Sequence, residues 1–460
     1  MATIGAVLLT TSAVATSAVA TSAAVATAAA TPPLALNLID AAVATSQGAV
    51  CLDGSPPGYY YRKASSAAAS DKWVLYMGGG AWCSSPTSCA SRSLGHLGSS
   101  TKFAKTLSYP QGVLDGNVST NPTFGRWNHV FLAYCDGGSF SGDATSPIVA
   151  PHPSEPHRNV TLFLRGRRVL QILISTLAAH HGLGSASEVM LSGGSAGGLA
   201  VLLQADYVRT LLPVALPKFR AVPVSGFFLL HQTLKGADAF EASMRATYTL
   251  HNASTPEACV AHVPPGESWR CFFANYSYAS TRTPTFLIQS SVDLYQLFAI
   301  LQAGGWDAGC LNRGIQFANC TLDQIESFNA YAAALLSDWG VHRTTGKASR
   351  RGEGAFVESC LEHVAEQTSA MFNGYAIGGV SMQQALSKWW LADGTQPAAA
   401  HTHMPCELSL TRPHQCNPTC FAHGGVHRVQ LQADADADAR GMVEHHLPDD
   451  LFTSEVRTQV

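Results

Sequence analysis

Leu191-Ser192-Gly193-Gly194-Ser195-Ala196-Gly197-Gly198 is the stretch whose reading decides the fold. Val189-Met190-Leu191 before it is apolar and suits the end of a buried strand. Leu199 to Ala205 after it suits a helix. Between them, Gly193-x-Ser195-x-Gly197 leaves no bulky side chain beside the serine. A nucleophile elbow needs that, because its serine sits in a strained conformation where neighbouring Cβ atoms would collide with strand or helix. The same turn aims the backbone N–H of Ala196 at the place where an oxyanion would form. An ordinary Gly-rich strand-to-helix loop is the competing reading, and the remainder of the chain has to separate the two.

Composition narrows the field. The chain has 460 residues, 46% hydrophobic and 13% charged, enough for one large α/β domain with a sizeable core. A formal net charge of −3 gives no electrostatic footprint for nucleic acid or an anionic membrane. Beyond the N-terminal stretch, no apolar run approaches the length of a membrane span. Twelve cysteines run from Cys51 to Cys420, with short local pairs at Cys83/Cys89, Cys259/Cys271 and Cys310/Cys320. The Cys and His spacings from His401 to Cys420 fit no standard zinc pattern, so disulfides in an oxidising compartment are the better account.

Five N-x-S/T triplets agree with secretion, at Asn117, Asn159, Asn252, Asn275 and Asn319. The N-terminus is rich in Ala, Thr, Ser and Val, with no Lys or Arg before Arg62. Residues 1–33 are read as a weak signal peptide running into a low-complexity spacer. A folded domain is expected over 34–422, followed by a disordered tail over 423–460 that includes the Ala/Asp alternation of 433–440.

Strand-like runs at 73–77, 130–134, 189–191 and 285–289 alternate with helical patterns, one of them expected over Leu162 to His180. That alternation predicts a mainly parallel, doubly wound α/β sheet of the α/β-hydrolase kind, with sites at the carboxyl ends of its strands. In such a fold the triad runs in the order Ser, acid, His. Asp293 follows the strand-like 286–292, and His363 lies in a loop after the strand-like Ala355 to Val357. Asp136 and Asp143 are rival acids in a Gly/Ser-rich loop. His180, His181, His401 and His403 are poorer bases, because no strand delivers them. A second oxyanion donor is expected from Gly78-Gly79-Gly80, directly after the strand ending at Met77.

Several of these motifs together resemble the pectin acetylesterases, a family that also includes the animal lipid-carboxylesterase Notum. They are Gly78 to Cys83 with Ser88-Cys89, Tyr134 to Asp143, Leu164 to Arg167, Ser192 to Gly198 and Cys416 to Cys420. The similarity runs from about Leu36 to Cys420. It implies an α/β-hydrolase fold, a Ser195–Asp293–His363 triad, and an oxyanion hole from Ala196 and Gly80. The chain departs from the family pattern at three points. Gly194 stands where plant-type members have cysteine, Val364 stands where the family has a cysteine after its histidine, and Ala81 separates the glycine run from Trp82. One local disulfide is therefore expected to be lost or rewired.

The resemblance implies a secreted, cell-wall carboxylic ester hydrolase acting on acetylated polysaccharide, pectin first, as a monomer needing no metal or organic cofactor. Two alternatives stand beside it. One is a Notum-like enzyme removing a fatty acyl group from a protein, and the other is a catalytically silent wall-binding glycoprotein.

Overall fold

Ten strands form the main sheet of the computed structural model. They are β1 (Leu34–Leu38), β2 (Gly58–Arg62), β3 (Lys72–Met77), β4 (Thr106–Leu107), β5 (Asn128–Leu132), β6 (Glu188–Gly194), β7 (Lys218–Val224), β8 (Phe286–Ser290), β9 (Gly354–Glu358) and β10 (His401–His403). The structure describes residues 31–107, 111–303, 309–311, 317, 319–340, 353–392, 401–403 and 417–420. The expected leader and spacer, apart from 31–33, and the expected tail lie outside the described residues.

The sheet order is β10-β9-β8-β7-β6-β3-β5-β2-β1-β4. Strands β10 through β5 in that order are mutually parallel. The last three, β2, β1 and β4, add antiparallel to one edge. The central strands read as continuous apolar runs because both of their faces are covered. Trp73, Leu75 and Met77 of β3 and Val189 and Leu191 of β6 pack on one face, under the helices Gly166–His180, Ala196–Leu211 and Leu322–Trp339. Val74, Tyr76, Met190, Phe286, Ile288 and Phe356 pack on the other, against Phe372, Trp389 and Trp390. This is the doubly wound α/β arrangement expected from the alternation of elements, with an antiparallel edge added.

The helix expected from Leu162 begins at Gly166 instead. Leu162 ends a strand, Glu155–Leu162, that pairs antiparallel with Ile148–His152. Tertiary pairing overrides local helical preference there, and Arg165 becomes the residue before the helix.

Five disulfides join described cysteines: Cys51–Cys135, Cys83–Cys89, Cys259–Cys271, Cys310–Cys320 and Cys360–Cys420. Three are the local pairs suggested by spacing. The other two close long loops, where a crosslink removes the most unfolded-state freedom. No helix among the described residues is long and apolar enough to cross a membrane.

Candidate active site

Four turns at the carboxyl ends of parallel strands build the candidate site. Ser195 follows β6, Asp293 follows β8, His363 follows β9, and the glycine run follows β3.

Ser195 has φ 58° and ψ −125°, a region that side chains rarely occupy. Its N–H donates to Val224 O at 3.0 Å, and its carbonyl accepts from Leu199 N at 3.0 Å. The backbone is thus pinned to β7 on one side and to the helix Ala196–Leu211 on the other. Glycine is required at the flanks by close approach. A Cβ on Gly193 would lie 2.6 Å from Gly197 O and 2.8 Å from Met77 O. The serine itself stays partly exposed.

Asp293 is fully buried and precedes the short helix Leu294–Ala299. Its Oδ1 accepts from Gln296 N at 3.0 Å and its Oδ2 from Gln289 Nε2 at 3.2 Å. Both oxygens lie 2.9 Å from His363 Nδ1. The imidazole stacks on Tyr295, centroid to centroid 5.1 Å at 25°. Burial pushes the Tyr295 hydroxyl up to about 12, with the Asp293 charge adding to the rise and Arg92 opposing it. His363 Nε2 is buried without a hydrogen-bond partner. A carboxylate on Nδ1 fixes the tautomer that leaves Nε2 free to accept a proton.

The glycine run meets the elbow edge-on. A Cβ on Gly79 would strike Gly194 O and come within 3.2 Å of Ser195 Cβ and 3.3 Å of Ala196 N. Gly80 follows at φ 140°, a conformation that glycine adopts without steric cost. The loop after β5 braces both segments. Tyr134 Oη donates to Ala81 O at 2.8 Å, and Ser139 Oγ donates to Ala196 O at 2.7 Å. Trp82 Nε1 donates to Ser139 Oγ at 2.7 Å.

The rival acids have other partners. Asp136 is buried and accepts from Gly138 N and Phe140 N of its own loop, at 3.1 and 2.9 Å. Burial pushes its carboxyl up to about 7 against those hydrogen bonds. Asp143 forms a 2.6 Å ion pair with Arg168 at the surface. His181 lies 2.8 Å from Tyr59 Oη, and the side chains of His401 and His403 lie outside the described residues.

The chain carries the match that this geometry invites. A model of the family described as pectinacetylesterase matches residues 27–420. The chain belongs to the pectinacetylesterase family. Pectin acetylesterase 11 of Arabidopsis thaliana is 31% identical over 394 residues, covering 84% of this chain and 92% of that protein. Palmitoleoyl-protein carboxylesterase NOTUM of Schmidtea mediterranea is 27% identical, covering 68% and 55% respectively. Among solved structures, the Wnt deacylase Notum from Drosophila aligns with a TM-score of 0.67 at 27% identity, over 85% of this chain and all of that one. Family membership makes the chain a carboxylic ester hydrolase with an α/β-hydrolase-like fold.

Two of the positions named above as departures, Gly194 and Val364, are neighbours in the fold. A Cβ on Gly194 would lie 2.6 Å from Val364 Cγ1. Sequence reasoning missed Gln289 and Tyr295, which lie close to Asp293 in the chain, and Ser139 and Ser225, which reach the site through long-range contacts. Two left a trace in the sequence: Ser139 lies in the Tyr134 to Asp143 motif, and Gln289 is a lone amide in a buried apolar strand four residues before Asp293.

Proposed function

We propose that this pectinacetylesterase-family member is a secreted serine esterase that removes acetyl groups from cell-wall polysaccharide, pectin first, through Ser195, His363 and Asp293. The observation that carries the triad is the pairing of His363 Nδ1 with both oxygens of a buried carboxylate while Nε2 stays unpaired. The strained serine at the end of β6 supplies the nucleophile.

In this reading Ser195 Oγ attacks the acetyl carbonyl carbon as His363 Nε2 takes its proton. Collapse of the tetrahedral intermediate expels the sugar alkoxide, which receives that proton. Water, activated by the same imidazole, then attacks the acetyl-enzyme, and acetate leaves. Asp293 holds the tautomer and stabilises the imidazolium. The N–H groups of Ala196 and Gly80 receive the oxyanion, a contribution of about 3–4 kcal/mol per donor. The close approach of Gly79 to Ser195 supports this register, because it carries the next amide towards the serine.

Secretion rests on the disulfides and the sequons. Asn117, Asn159, Asn252 and Asn319 are exposed and open to glycosylation. Asn275 is the least accessible of the five, since it is half-buried and its Oδ1 accepts from Leu230 N at 3.3 Å. Residues 34–422 would form the catalytic domain, between a leader with its spacer and a C-terminal tail. The glycans are checked by mass spectrometry of protein from its native host, before and after glycosidase.

The likeness to a Wnt deacylase favours one second reading, removal of a long acyl chain from a protein. Acetate release from acetylated pectin and acetylated xylan, run beside hydrolysis of a palmitoleoylated peptide, separates the two. Turnover of pectin with no action on the peptide supports the first reading, and the reverse pattern would replace it.

A further inference from the structure

We infer that Ser225, on the Ser195–Asp293–His363 reading proposed above, is a positioning residue that sets where His363 stands. Ser225 follows β7, the strand between the nucleophile strand β6 and the acid strand β8. Its N–H donates to Ile288 O at 2.8 Å, and the carbonyl of Val224 beside it accepts from Ser195 N at 3.0 Å. The residue is therefore anchored by backbone to the turn carrying the nucleophile and to the strand carrying the acid. Its hydroxyl is buried and accepts from Val364 N at 2.9 Å. Val364 is the residue directly after the imidazole.

That hydrogen bond holds a conformation the chain would otherwise leave. Val364 has φ 53° and ψ 44°, left-handed backbone that a β-branched residue strongly resists. Ser225 itself is at φ 45°. Strain of this kind persists only where the surroundings over-determine it, and it concentrates at functional sites. Here the surroundings are visible. Val364 O accepts from Gln367 N at 2.9 Å, and Gln367 Nε2 donates to Tyr76 Oη at 3.0 Å. Val364 Cγ1 fills the space over Gly194, where any Cβ would collide with it. Asp293 fixes the orientation and tautomer of the imidazole, whereas the clamp on Val364 fixes the position of the His363 backbone. A misplacement of about 1 Å at a catalytic base is enough to lose rate heavily.

The decisive variant is Ser225→Gly, because it separates strain from acceptor. Glycine accepts positive φ readily, so the fold is expected to keep its Tm. The acceptor for Val364 N is gone, so kcat on p-nitrophenyl acetate is expected to fall by about tenfold with KM within about twofold. A Val364→Gly background removes the strained residue that the hydroxyl restrains, and the loss from Ser225→Gly should shrink there to within about threefold. Unchanged kcat in Ser225→Gly would overturn the inference, as would a Tm that falls in step with activity. An equal loss in both backgrounds would do the same, since Ser225 would then act by another route. Ser195→Ala in the same assay tells the two failures apart. If it retains hydrolysis, the triad reading falls and this inference with it. If it is inactive while Ser225→Gly is normal, only the inference about Ser225 falls.

Discussion

Two fully buried aspartates, each just past a parallel strand, have opposite chemistry. Asp136, after β5, spends its Oδ2 on amides of its own loop and has an Oδ1 with no partner. Asp293, after β8, divides its oxygens between a helix N–H, a glutamine amide and an imidazole. The first is pushed up to about 7 by burial and shapes a loop. The second binds a group that can itself carry positive charge. Burial alone therefore does not mark a candidate triad acid; what its oxygens face does.

Asp293→Asn offers the largest effect with which to break this comparison. It should lower kcat on acetylated pectin by roughly 10⁴ by favouring the wrong imidazole tautomer, with the Tm nearly unchanged. Asp136→Asn, equally isosteric, should hold kcat within about tenfold and act mainly on Tm. Were Asp136→Asn the inactive variant and Asp293→Asn nearly normal, the two roles assigned here would be exchanged.

A smaller effect sharpens the role of the Asp136 loop. Ser139→Ala removes the donor to Ala196 O and leaves Trp82 Nε1 without its described acceptor. It is expected to lower kcat by about tenfold through the oxyanion segment, with KM little changed. A rise in KM alone, measured on the same substrate, would assign the loop to binding instead.

The smallest effect is on stability. Burial raises Asp136 and Glu366 to about 7 and Glu353 to about 8. An acid whose folded pKa exceeds its unfolded value favours folding while protonated, and that contribution is lost as pH rises through the folded value. The buried His129 and His251 are lowered to about 3 and about 4, so their opposing contribution ends near their unfolded pKa of about 6.5. Between pH 6.5 and 8 only the acids remain, and Tm should fall. Asp136→Asn should make the fall shallower. A Tm that climbs across that window in differential scanning fluorimetry would contradict this assignment.

Much of this was legible in the chain because it is local. The elbow, its strand and its helix occupy one continuous stretch, and the strand-end positions of Asp293 and His363 follow from apolar runs beside them. Those two residues were legible as candidates, and their pairing is a geometric fact of the fold. What stayed hidden is long-range. The start of the helix at Gly166 depends on a hairpin pairing that local pattern does not encode. The Cys51–Cys135 and Cys360–Cys420 bridges span 84 and 60 residues, and spacing offers no rule for either. Ser225 is one of many serines until the fold sets it against Val364.

Fluorophosphonate labelling followed by peptide mapping, with rates compared across variants, reads out whether Ser195 is a nucleophile activated through His363 by Asp293. One adduct is expected, on Ser195, formed rapidly in the native protein and in Asp136→Asn and far more slowly in Asp293→Asn. An adduct on another residue, or equal rates in all three proteins, would contradict it.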